Sequence, residues 1–302
     1  MSEEGSRRTV IAAFLANLGI ALAKFVGFAF TGAASMLAEA FHSVADTSNQ
    51  GLMLLGRRRA GRSPTPEHPF GYGRERYFWS FVVALVIFSL GSLFALYEGV
   101  EKLRHPHRLE SAGWAIGILA VAVVLESLSL RTAVRESRRL KGGSWWRFIR
   151  EAKVPELPVV VLEDLGALTG LAFALAGVLL ADLTGNPRFD ALGSLAIGIL
   201  LGAIATILVI EMKSLLIGES ATPGQHDAIR RAIENNPCVR CLIHMRTEHL
   251  GPEELLVGAK VELDGGLDTA GVAAAINSVE DDVRAAVPEV RLMYVEPDCY
   301  RG

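Results

Sequence analysis

Residues 31–59 read TGAASMLAEAFHSVADTSNQGLMLLGRRR. The stretch is apolar at both flanks, yet Glu39, His42 and Asp46 stand in its middle, followed by Asn49 and Gln50. A charged group at the centre of a membrane helix costs about 2.5–3.5 kcal/mol on insertion scales, so residues of this kind line an ion path, pair with another group or coordinate something. The spacing i, i+3 and i+7 sets Glu39, His42 and Asp46 on one helical face, and Asn49 or Gln50 continues the stripe. His42 and Asp46 are one turn apart, which lets two side chains grip one ion. An imidazole with a carboxylate suits Zn2+ and other borderline divalent metals. A buried His–Asp hydrogen bond that only fixes helix packing is the competing reading.

Composition supports a membrane setting. The chain has 302 residues, 51% of them hydrophobic, and its mean hydropathy of +0.34 is high for a soluble protein of this size. Charge is unevenly placed: residues 219–302 carry 15 acidic against 8 basic groups, whereas the first 218 carry 18 against 22. A basic membrane part joined to an acidic tail is the simplest reading. No basic stripe with interleaved aromatics points to nucleic acid. Cys238, Cys241 and Cys299 are the only cysteines, an odd number that gives no complete disulfide framework. The opening MSEEGSRRTV does not read as a cleaved secretion signal, because the apolar run behind it lacks an A-x-A site and is long enough to span a bilayer.

Six segments are long and apolar enough to cross roughly 30 Å of hydrocarbon as helices, at about 10–31, 34–55, 78–100, 113–134, 156–180 and 190–212. The loop at 56–77 holds six arginines and that at 131–153 eight basic residues, while 101–112 has three and 181–189 one. The positive-inside rule then places both termini and both basic loops in the cytoplasm. Within the second basic loop, SWWRFIREAK (144–153) is either a short interfacial helix with Trp145 and Trp146 at headgroup level or a surface helix. The chain therefore divides into a six-helix membrane domain, 1–218, and a cytosolic domain, 219–302. In the latter, 223–236 and 268–287 read as helices and 240–251, 254–264 and 289–298 as strands. That order, αββαβ, is a small ferredoxin-like α+β fold with helices on one face of a sheet.

The fifth apolar segment repeats the polar theme with Glu163 and Asp164. Adjacent helical residues point about 100° apart, so Asp164 shares a face with Val160 and Leu168. Glu163 lies on the side of Gly166 and Gly170, where small residues admit a neighbouring helix. That neighbour could present His42 and Asp46. Lys24 and Glu126 are further intramembrane charges, read either as a snorkelling lysine and a solvated glutamate or as interior groups. Asp190 reads as an N-cap, and Asn17 as an interhelical hydrogen-bonding group.

These residues together spell a family. His42-Ser-Val-Ala-Asp46 after MLAEAF, HPFGYGRERY at 68–77, LED at 162–164 and FDALGSLAIGILL at 189–201 resemble the cation diffusion facilitator family of metal transporters, with wording similar to its animal zinc transporter 9 group. The resemblance runs from end to end. It implies a homodimer, joined through the C-terminal domain and the membrane helices, that exports a divalent metal from the cytosol in exchange for protons. It implies an integral membrane protein, in the inner or plasma membrane if bacterial, with no organic cofactor. In the family, two side chains i, i+4 on each of helices two and five hold the ion. Here helix two supplies His42 and Asp46. Helix five supplies Asp164, but its first family position is Val160, for which Glu163 is the candidate replacement and Asn49 a weaker one. One His with two or three carboxylates is a harder donor set, so Mn2+, Fe2+ and Co2+ stand beside Zn2+ as cargo. A second metal site known in relatives matches His68 and Tyr72 here and is incomplete. In the tail, which resembles the family's metal-binding dimerisation domain, His244, Glu248, His249, Glu296 and Asp298 are candidate ligands, and the lone Cys238-Val-Arg-Cys241 reads as a turn before a strand.

Such a site exchanges metal for protons because ligands must be deprotonated to bind. An intramembrane enzyme would call for H-E-x-x-H or G-x-G-D, and neither occurs. A non-transporting sensor or scaffold remains the rival from another class.

Overall fold

The computed structural model describes residues 18–32, 34–106, 112–138 and 144–300, in two compact units. One draws on Met1–Gly56 and Phe78–Met212, the other on Arg57–Tyr77 and Lys213–Gly302. Asn17 lies outside the described residues.

The first unit is helical. Its elements are α1 (Leu18–Thr31), α2 (Ala34–Ala60), α3 (Glu75–Val86), a π-helical turn (Ile87–Ser92), α4 (Leu93–Arg104), α5 (Ala112–Arg138), α6 (Trp145–Glu151), α7 (Glu156–Thr184) and α8 (Arg188–Ile217). Among the described residues, four helices are long and apolar enough to cross a membrane: Glu75–Arg104, which runs through the π turn, Gly113–Thr132, Pro158–Thr184 and Arg188–Ile217. With the membrane character of the sequence, they make this an integral membrane protein. The described part of α1 is a shorter apolar helix, and α2 is diluted by its polar stripe.

Helices of this composition pack by shape, because lipid tails are as apolar as leucine and offer no hydrophobic reason to associate. Small residues do the work. A Cβ on Gly177 of α7 would lie 3.0 Å from the Phe189 carbonyl oxygen and 3.4 Å from Gly193 Cα, and one on Gly193 would lie 2.9 Å from the Phe173 carbonyl. The two backbones thus meet directly. The core that follows draws Met36 from α2, Ala95 from α4, Leu119 from α5, Leu171 and Val178 from α7, and Ile197 and Leu201 from α8. Two hydroxyls lock α8 to the segment opposite: Ser92 donates to the Gly198 carbonyl at 2.7 Å and Ser194 to that of Ala95 at 3.0 Å. Ser92 closes the π turn, where the helical ladder is interrupted. Asp190 does not cap α8. It lies inside the first turn, fully buried, with Lys102 Nζ 3.7 Å away, and Lys102 also donates to the Gly32 carbonyl.

The second unit has the order helix–strand–strand–helix–strand: α9 (Pro223–Glu234), β1 (Val239–Gly251), β2 (Glu254–Leu263), α10 (Thr269–Ala286) and β3 (Val290–Pro297). Each helix starts where its sequence permits. Thr222 and Gln225 form a capping box with Pro223 in the first turn, and Asp268 accepts from the Gly271 amide. The sheet order is β1-β2-β3, β1 and β2 antiparallel, β2 and β3 parallel across α10. Alternate β2 residues Leu255, Val257, Ala259 and Val261 meet Ile229 and Ile233 of α9 and Val279 and Val283 of α10, the period-2 and period-3.6 patterns locking together.

The connection between α2 and α3 belongs to this unit. Arg74 donates to Glu248 of β1, Arg76 Nη1 lies 3.6 Å from Glu253 Oε1, and a Cβ on Gly73 would come within 2.7 Å of the Leu250 carbonyl. Only glycine allows that approach to the β1–β2 turn.

Ile233→Ala should destabilise this unit by about 2–5 kcal/mol, the usual range for emptying a buried aliphatic site. Amide exchange would then quicken across 223–297 while α7 and α8 remain protected.

Candidate ion site in the helical unit

α2 carries His42, Asp46 and Glu39 at helical backbone positions, and their side chains lie outside the described residues. The described polar member of the stripe is Asn49. It is completely buried and its Nδ2 donates to Glu163 Oε1 of α7 at 2.7 Å. The Asn49 Oδ1 atom is buried with no hydrogen-bond partner among the described residues. In a dry interior, an unsatisfied amide oxygen is costly enough to require an explanation.

Glu163 and Asp164 diverge as their one-residue separation requires. Glu163 is buried and turned to α2. Asp164 is less enclosed and accepts from Ser129 Oγ of α5 at 3.0 Å. Their charges still act on each other, and Glu126 acts on Asp164. Val160, one turn before Asp164, is half-buried and offers no donor atom. The helix admitted at Gly166 is α8, whose Ile204 Cδ1 would stand 2.6 Å from an added Cβ, so α2 meets α7 at Glu163 rather than along the glycine side. Among the described residues, no three His, Cys, Asp or Glu side chains converge closely enough to hold a metal.

Outside the helical unit the candidates scatter. His68 is exposed and stacks on Tyr72, ring centroids 4.7 Å apart. Tyr72 in turn meets Thr65 Oγ1 at 3.1 Å. His244 is exposed on β1, whereas His249 is buried, its Nδ1 3.4 Å from the Gly251 carbonyl; the structure does not bring the two together. Glu248 takes Arg74. Glu296 and Asp298 both close on Lys260, at 2.9 and 3.0 Å, and these hydrogen bonds hold the Lys260 ammonium above its ordinary range. Cys238 sits in the turn before β1 and Cys241 within the strand. Desolvation lifts the Cys241 thiol, and the Glu262 carboxylate 3.5 Å from its sulfur lifts it further.

From the sequence, Asn49 stands as a weaker candidate than Glu163, and Ser129 is not singled out. Their spacing held the signal: Asn49 follows Asp46 by three residues, and Ser129 follows Glu126 by three.

Residues 10–217 match the cation efflux transmembrane domain. Over 269 residues, 88% of this chain and 47% of the relative, the sequence is 37% identical to the human protein named proton-coupled zinc antiporter SLC30A9, mitochondrial. It is 30% identical over 271 residues to metal tolerance protein C4 of Arabidopsis thaliana, covering 88% of this chain and 59% of that one. It is 25% identical over 259 residues to zinc transporter ZitB of Escherichia coli strain K12, covering 85% and 77%. The chain thus spans about half the length of the SLC30A9 protein.

Asn49→Leu leaves Glu163 buried without its donor and should destabilise the helical unit by about 1–3 kcal/mol. A thermal melt of the detergent-solubilised protein, compared with Asn49→Gln, measures it.

Proposed function

The chain belongs to the cation diffusion facilitator family, near its SLC30A9 branch, and from that premise we propose that it is a secondary transporter, not an enzyme, that moves a divalent cation, Zn2+ first, out of the cytosol in exchange for protons. The observation that supports this most is the Asn49–Glu163 hydrogen bond. It pins α2 to α7 at a residue that shares a helical face with the His42 and Asp46 positions. The ion is then held by His42 and Asp46 from α2 and by Glu163 and Asp164 from α7, with Asn49 Oδ1, which has no partner among the described residues, as a further oxygen donor.

Exchange follows from ligand chemistry. Each imidazole and carboxylate must shed its proton to take the metal, and an imidazole with an ordinary value near 6.5 changes charge within the physiological range. Protons entering from the far side therefore compete the ion off and are carried back. Zn2+ comes first because SLC30A9 and ZitB are named for it. Mn2+ or Fe2+ is the second reading, favoured by the oxygen-rich set of Glu163, Asp164 and Asn49 with Val160 in place of a donor. His68, His244, His249 and Glu39 are kept as less favoured metal candidates.

The reading also takes six spanning helices in 1–218 with both termini cytoplasmic, and a ferredoxin-like domain in 219–302 through which two copies pair. The basic loops at 56–77 and 131–153 support that orientation.

His42→Ala and Asp46→Ala should each reduce zinc flux into vesicles to background while leaving the protein folded. Glu163→Gln should weaken zinc binding by about 10–100-fold, the range for groups around a metal site. Flux retained in both alanine variants would sink the assignment.

A further inference from the structure

A second polar layer lies beside the proposed ion site. Lys24 of α1 is completely enclosed by the bundle, neither snorkelling nor exposed. Its Nζ donates to Ser43 Oγ of α2 at 2.7 Å, with Ser43 itself buried. Among the described residues, Glu126 of α5, also buried, is a carboxylate on which the Lys24 charge acts. Glu126 acts electrostatically on Asp164, and Asp164 on Glu163.

The order along the helices places this layer. Ser43 precedes Asn49 by six residues on α2, roughly 9 Å at the helical rise, and Glu126 precedes Ser129 by three on α5, roughly 4.5 Å. Lys24, Ser43 and Glu126 therefore stand one step from Asn49, Glu163, Ser129 and Asp164, on the side of the α1–α2 connection. The His42 and Asp46 backbone positions fall at and between these levels.

A buried ammonium near a site for a divalent cation works against binding, because the two repel strongly where water is excluded. Ordinary packing would be served by an uncharged donor to Ser43. A transporter, however, must release its ion as well as hold it. Resting on the transport reading above, we infer that Lys24 is a positioning residue for the transported ion. Its amine, tethered by Ser43 in the layer that also holds Glu126, limits how tightly the carboxylate layer retains a divalent cation and so permits release.

The test uses the purified full chain, with Zn2+ as the probe, and measures both the dissociation constant by calorimetry and zinc flux in vesicles. Lys24→Gln can still donate to Ser43 but has no charge. It should bind Zn2+ at least about tenfold more tightly, the effect of one unit charge at intermediate dielectric, and turn over more slowly. Lys24→Met should shift affinity in the same direction, and Lys24→Arg should keep wild-type values in both measurements. Unchanged or weaker zinc binding in Lys24→Gln overturns the inference. So does loss of folded protein in both neutral variants while Lys24→Arg folds, which would make Lys24 a structural tie. The affinity ratio decides this point even if the wild type binds zinc and moves none, an outcome that would remove the transport reading instead.

Discussion

A carboxylate placed among apolar helices has to find its partner inside the protein, and that constraint organises the helical unit. Water is not there to solvate it, and burying a polar group without a hydrogen bond is expensive. Four of the described polar groups on the inner faces are met from another helix: Glu163 by Asn49, Asp164 by Ser129, Lys24 by Ser43 and Asp190 by Lys102. These contacts specify which helix lies beside which. Small residues such as Gly177 and Gly193 then allow the backbones close enough for the contacts to form. The polar groups proposed to handle an ion are in this way also groups that select the packing.

Most of the helix positions and the αββαβ order were legible from periodicity, because apolar spacing and caps are local properties of the chain. Thr222 with Gln225 and Asp268 announce α9 and α10 in the sequence itself. Partner choice is non-local and was not legible. Gly166 showed that some helix comes close to α7, but not that it is α8 bearing Ile204. Lys24 has the same spelling whether it snorkels or is enclosed; only the neighbours decide, and here the bundle buries it with Ser43 as a hydrogen-bond partner. Asp190 reads as a cap until Lys102 is seen to reach it from α4. The candidate site was half legible: its residue types stood out, since charge in an apolar run is costly, while Asn49 as the bridge between α2 and α7 did not.

The C-terminal unit illustrates how a fold can occupy groups that would otherwise be ligands. Glu296 and Asp298 attract attention in an acidic tail, yet both are spent on Lys260, and Glu248 on Arg74. The latter contact also ties the α2–α3 connection to β1, with Gly73 seated against the β1–β2 turn. The connection and the sheet are therefore held together within this unit.

The central proposal is that the polar groups between α2 and α7 carry a divalent cation against protons. The most direct measurement follows zinc and pH together inside proteoliposomes that contain the purified chain, with and without an imposed proton gradient. The account predicts zinc movement coupled to counter-movement of protons, accelerated by the gradient and matched poorly by the other divalent metals. Zinc bound by the protein, but no metal moved under either condition, would contradict it.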